Sequence, residues 1–247
     1  MSGALEVPPP ASAARQTELA DALASLYARI AAAATAAGRQ PAEITLVAVT
    51  KTYPVSDAAE LVRLGVTELG ENRVGDLRAK SPAVASAHWH FVGQLQTNKV
   101  NRLVDLPGLV AVHSVDRLAL VRALGAAMTR RPDRPAPLEC FVQVDLDAVD
   151  SPGRGGARPA DVAEVAAAVA DTAGLRLAGV MAVAPLGRDS DDTFAELAQI
   201  SGLLRREHPD AVAVSAGMSG DFEAAIRHAA THLRVGAALL GRRPLLR

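Results

Sequence analysis

Hydrophobic positions along the 247-residue chain follow two alternating periods. From about Arg15 to Ala37, Leu19, Leu23, Leu26 and Ile30 recur at helical spacing and share one face. Gly38 supplies the stop. Short apolar runs then alternate with amphipathic stretches. The runs ITLVAVT (44–50), VTEL (66–69), HWHFVG (88–93), LVAVHS (109–114), LECFVQVDL (138–146), LAGVMAV (177–183), AVAVS (211–215) and HLRVG (232–236) read as eight strands. Between them lie helical patterns such as SDAAELVRLG and DDTFAELAQISGLLRREH, several opened by Ser or Asp and closed by Gly.

Apolar strands alternating with amphipathic helices imply a parallel sheet covered on its faces. Eight such units predict an α/β fold, a (β/α)8 TIM barrel with one extra N-terminal helix. A doubly wound open sheet is the alternative, weakened because no strand followed by GxGxxG opens the chain. Residues 1–14, with three consecutive prolines and small neighbours, are expected to form a flexible tail, and 15–247 a single barrel domain.

Composition narrows the classes. The net charge is −1, which argues against a nucleic-acid or membrane surface. The N-terminus has no basic and apolar leader, and no uninterrupted apolar run is long enough to span a bilayer. The single cysteine, Cys140, sits in an apolar run and is expected to be a buried structural thiol, which favours a reducing, cytoplasmic setting. Of 26 basic residues only Lys51, Lys80 and Lys99 are lysines, so each calls for a reason.

In a barrel of this kind the chemistry lies where the strands end. Lys51 follows strand one, where partial desolvation would favour its neutral, nucleophilic form, which condenses with carbonyls; a snorkelling lysine at a strand end is the plainer reading. SAGMSGD (215–221) and Gly236 follow strands seven and eight, where small hydroxyls and close-approaching backbone suit a phosphate. Asp221 and Glu223 at the next helix start would repel one there, leaving loop N–H groups as donors. SPGRGG (151–156) reads as a flexible loop. His88, His90 and His113 lack the companions a metal needs, and Glu71, Asp145 and Asp147 are possible acid–base groups at unknown separation. An amine facing an anion cradle fits a ligand with an aldehyde at one end and a phosphate at the other. Pyridoxal 5′-phosphate suits this; a phosphorylated sugar in a class I aldolase suits it less well.

The stretches LVAVTKTYP, LGENRV, WHFVGQLQTNKV, VHSVDRL, GLRLAGVMAV, SAGMSGDFEAAIRHA and RVGAALLGRR, spanning about Ile44 to Arg243, resemble the YggS/PROSC family of pyridoxal-phosphate-binding proteins, also called PLP homeostasis proteins. The resemblance implies a fold-type III barrel like the N-terminal domain of alanine racemase. It implies that Lys51 forms a Schiff base with the cofactor, that Asn72 lies beside it, that Arg234 faces the pyridine nitrogen, and that Ser215, Ser219, Gly236 and Ala237 surround the phosphate. Met181, carried by strand six, is a further candidate for cofactor binding. Ala237 departs from the threonine often found in the family and would weaken phosphate binding by about 1 kcal/mol. A cation opposite the ring nitrogen disfavours its protonation and makes the ring a poorer electron sink.

Two functions follow. One is a monomeric, intracellular carrier or buffer of PLP, passing it to PLP-dependent apo-enzymes without robust catalysis. The alternative is a racemase-like enzyme. That chemistry needs a second base across the ring, and the only tyrosines are Tyr27, in the first helix, and Tyr53, beside Lys51.

Overall fold

The structure, a computed structural model, describes residues 9–147 and 155–241. Parts of the expected tail and of the expected SPGRGG loop, and the arginines closing RVGAALLGRR, lie outside the described residues. Helix α1 (Ala13–Ala36) starts two residues before the predicted Arg15 because Ser12 caps it, its hydroxyl accepting the Arg15 N–H at 3.3 Å. Its buried face carries Leu19, Leu23, Leu26, Ile30 and Ala34. Gly38 ends it at φ 68°, a left-handed conformation that a Cβ would disfavour.

The eight strands are β1 (Thr45–Val49), β2 (Glu68–Glu71), β3 (His88–Phe91), β4 (Leu109–Val115), β5 (Leu138–Gln143), β6 (Leu175–Met181), β7 (Ala213–Ser215) and β8 (His232–Val235). They pair in chain order, all parallel, and β8 returns to β1 with Val47 opposite Arg234, closing the barrel. Helices α2 (Val55–Arg63), α3 (Val74–Lys80), α4 (Val100–Val104), α5 (Leu118–Thr129), α6 (Val162–Ala170), α7 (Ser190–Glu207) and α8 (Phe222–Arg227) fill the crossovers. The predicted barrel with a helix in front is therefore present. One further helix, α9 (Ala237–Leu240), follows β8 and was not legible in the sequence, since four residues carry no period.

The barrel has two unequal cores. The larger lies between strands and helices and contains Trp89, Phe91, Leu69, Val112, Leu233 and their neighbours. The smaller contains Ala111, Phe141, Ala178 and Met181. His90, His113, Ser215 and Arg234 are buried as well. Branched apolar side chains usually fill such a barrel, so these polar groups need partners.

Helix α1 is fastened beside the strand ends. Arg15 reaches Asp57 on α2 at 2.7 Å and donates to the Leu240 carbonyl at 2.9 Å. Arg29 pairs with Glu223 on α8 at 2.6 Å and stacks on the Phe222 ring. Among the described residues no helix is long and apolar enough to cross a membrane, and no group of three or more His, Cys, Asp or Glu is placed to hold a metal. Cys140 is fully buried, and burial, with Glu139 adding, pushes its thiol up to about 12.

Candidate functional site

A cavity of about 670 Å³ opens where the strands end. Lys51, Asn72, Ser219, Arg234, Gly236 and Ala237 all line it. Its charged lining residues are two cations, Lys51 and Arg234, with no carboxylate among the described residues. Such a lining favours an anionic ligand, and the volume is that of a small-molecule site.

Lys51 is held by the turn that ends β1. The Tyr53 N–H donates to the Thr50 carbonyl at 3.1 Å, and Thr52 takes φ 71°. A β-branched residue in the left-handed region is strained. Beneath the turn, Lys80 Nζ donates to the Thr50 carbonyl at 2.7 Å and to Glu71 Oε1 at 2.5 Å. Thr50 Oγ1 donates to the same carboxylate oxygen at 2.7 Å. Glu71 is completely buried inside this network, outside the cavity, so it is not an acid–base group of the site. The scarce lysine Lys80 thus has its reason: it anchors the strand end from which Lys51 projects.

Asn72 follows β2 and is positioned by backbone packing against Gly93. A Cβ on Gly93 would lie 2.2 Å from the Asn72 carbonyl oxygen, so only glycine allows this approach. Arg234 is 5% exposed. It donates from Nη1 to Ser215 Oγ at 2.6 Å and from Nη2 to the Ala182 carbonyl at 2.8 Å. Burial pulls its guanidinium down to about 10, with Asp221 opposing, and it remains a cation at neutral pH.

Ser219, Gly220, Gly236 and Ala237 form the remaining wall. Ser219 Oγ accepts the Ala238 N–H at 3.0 Å, tying the β7 loop to the first turn of α9. A Cβ on Gly220 would meet nothing within 4 Å. Asp221 does not enter the cavity: its carboxylate turns back to accept the Met218 N–H at 2.6 Å. Glu223 faces α1 through Arg29. The repulsion expected from these two acids at the cavity is thereby reduced.

Two of the expected residues are placed elsewhere. Ser215 is fully buried and does not line the cavity. Its hydroxyl, expected at a phosphate, is committed to Arg234 and to His113 Nδ1 at 2.8 Å. Met181 is packed in the smaller core and lines a separate cavity of about 250 Å³, together with Asp145 and Asp147. Val92 and Val183 line both cavities. Sequence reasoning missed Gly93 and Thr52. Their roles come from backbone approach and a φ angle that no motif displays, not from a reactive side chain.

Comparison with known proteins places this geometry. The model of the alanine racemase N-terminal domain matches residues 22–244. The pyridoxal phosphate homeostasis protein of Mycobacterium leprae is 41% identical over 92% of this chain and 93% of its own. The protein of the same name from Escherichia coli is 36% identical over 92% and 97%. The structure of PipY from Synechococcus elongatus with PLP bound superposes with a TM-score of 0.77 at 28% identity, covering 90% of this chain and all of that one. The chain therefore belongs to the alanine racemase N-terminal domain family, among relatives named pyridoxal phosphate homeostasis proteins.

Proposed function

We propose that the cavity binds pyridoxal 5′-phosphate and that the protein serves PLP homeostasis as a carrier or buffer. The observation that carries this reading is the joint lining of one cavity by Lys51, Arg234 and the Ser219–Gly220 and Gly236–Ala237 wall, with no carboxylate among the described residues. When bound, the cofactor supplies an aldehyde that condenses with an amine and a pyridine ring that can withdraw electrons. Lys51 supplies the amine. Arg234 sits as a fixed cation that disfavours a proton on the ring nitrogen. Ser219 and the backbone around Gly236 and Ala237 receive the phosphate, and Asn72 flanks the ring.

The chain's own groups favour holding over turnover. Tyr53 lines the cavity, but its hydroxyl donates to the Gly241 carbonyl at 2.6 Å. Tyr27 stands 45% exposed on α1. Neither is set opposite Lys51 as a free base. In this reading the protein works in the cytoplasm as a monomer and passes PLP to apo-enzymes.

The purified protein should absorb in the visible, and borohydride should fix one PLP mass on the Lys51 peptide. Lys51→Ala should be colourless with an unchanged melting temperature. An unaltered visible band in Lys51→Ala refutes the assignment of Lys51. Sustained racemisation of alanine, lost in Lys51→Ala, refutes the carrier reading in favour of the enzyme.

A further inference from the structure

A continuous hydrogen-bonded chain runs from the opposite end of the barrel to the cavity. It begins at Glu68, the first residue of β2, whose side chain is 26% exposed. Glu68 Oε2 lies 2.7 Å from His90 Nε2. His90 Nδ1 lies 2.8 Å from His113 Nε2. His113 Nδ1 lies 2.8 Å from Ser215 Oγ, which accepts from Arg234 Nη1. Arg234 alone of these residues lines the cavity.

The sense of every bond follows from chemistry. A guanidinium only donates, so Ser215 accepts from Arg234 and has its one proton left for His113. A carboxylate only accepts, so His90 donates to Glu68 from Nε2. A neutral imidazole has one donor and one acceptor nitrogen. Two neutral imidazoles therefore leave one arrangement: Ser215 O–H to His113 Nδ1, His113 Nε2–H to His90 Nδ1, and His90 Nε2–H to Glu68. All dipoles then point the same way, from cation to carboxylate, and strengthen one another. The surroundings suit this state. Complete burial keeps His113 well below the usual histidine range, with His90, Arg234 and His232 acting in the same sense. His232 on β8, with its ring centroid 6.3 Å from those of His90 and His113, is pulled down to about 4, chiefly by burial. Burial would raise Glu68, but hydrogen bonds from His90 and His88 hold it at about 2. Phe141 on β5 stacks on His113 with centroids 4.1 Å apart and offers no competing polar atom.

We propose that Glu68, His90, His113 and Ser215 are positioning residues for Arg234: a single-sense chain that fixes the guanidinium at the cavity and couples it to a carboxylate at the far end of the barrel. For its effect on a ligand, the inference rests on the reading that the cavity takes pyridoxal phosphate.

The chain is tested first without the cofactor. Long-range 15N–1H spectra of the histidine rings at pH 7 should show His90 and His113 both protonated at Nε2. An Nδ1-protonated His113 overturns the proposal. The coupling is tested on the full chain by titrating pyridoxal phosphate into wild type, Glu68→Ala, His113→Phe and His88→Gln. His88→Gln replaces the imidazole that meets Glu68 Oε1, an oxygen outside the chain, and leaves the chain intact. Glu68→Ala and His113→Phe should raise the dissociation constant about 3- to 30-fold and move the pH midpoint of the visible band, with His88→Gln close to wild type. If His113→Phe does not fold, Glu68→Ala, at a partly exposed position, decides. A Glu68→Ala protein with wild-type dissociation constant and band overturns the proposal. Failure of wild type to bind pyridoxal phosphate at all overturns the cofactor reading instead, and leaves the ring-proton result standing on its own.

Discussion

Lys80 Nζ donates to the carbonyl oxygen of Thr50 at 2.7 Å, one residue before Lys51. The same ammonium meets Glu71 Oε1 at 2.5 Å, and both side chains are almost completely buried. Among the described residues Glu71 Oε2 has no hydrogen-bond partner, so Lys80 and Thr50 carry the compensation for a buried carboxylate. Lys80→Met should cost about 3–5 kcal/mol in urea unfolding, because it leaves that charge unpaired. Lys80→Met/Glu71→Leu should recover most of the loss, since removing both partners of a buried pair is often nearly neutral. A single variant within 1 kcal/mol of wild type would contradict this account of the pair.

Thr52 holds the turn after Lys51 at φ 71°. Glycine adopts that conformation without strain, so Thr52→Gly should match or exceed wild-type stability, by up to about 1 kcal/mol in thermal or urea melts. The same freedom loosens Lys51, and pyridoxal phosphate should bind more weakly. Weaker binding without any loss of stability is the signature to look for.

Two glycines of the cavity should respond differently to one methyl group. Gly93→Ala places a Cβ 2.2 Å from the Asn72 backbone oxygen, where only a main-chain shift relieves the clash. It should lower stability by about 2 kcal/mol or more and disturb Asn72. Gly220→Ala meets no atom within 4 Å and should melt like wild type. Differential scanning calorimetry of the pair separates backbone fit from cavity space.

Acid should destabilise the protein in two stages. His232 falls from an ordinary 6.5 to about 4 in the folded protein, and His113 is also lowered well below its ordinary range, both first because of burial. The unfolded chain then binds more protons below pH 6.5, so stability declines as pH falls from there through 4. Glu68, held at about 2 against an ordinary 4.5, adds stability that is full above 4.5 and fades as pH drops toward 2. Melting temperatures should be level above pH 7, fall below 6.5 and fall further below 4.5. His232→Asn should flatten the upper stage, and an unchanged upper stage in that variant would show that the histidine is not its source.

The alternation of apolar runs and amphipathic stretches was enough to read eight strands and a closed barrel, because each stave is buried on both faces and each helix on one. Lys51 was legible for the same reason: a charge at the end of a buried strand is conspicuous. The placement of the Ser215 side chain was not legible, since a serine in a glycine-rich strand-end stretch looks like an anion ligand. The pleat turns its side chain into the barrel, where it meets Arg234 and His113, while Ser219 four residues on lines the cavity. His90 and His113 read as an incomplete metal set because the sequence shows residue types and not the 2.8 Å between their rings. Lys80 was conspicuous only by rarity. Its partner Glu71 is nine residues upstream, and nothing local announces that a helix brings the two together.

The confinement of Lys80 also makes the protein an unusually simple amine substrate. Three lysines are present, and one is sealed inside an ion pair, so an acylating reagent meets only Lys51 and Lys99 as side-chain amines while the fold is intact. A pulse of such a reagent followed by peptide mass spectrometry would report occupancy at Lys51, with Lys99 as the internal reference. Modification at Lys80 would mark the molecules that had opened.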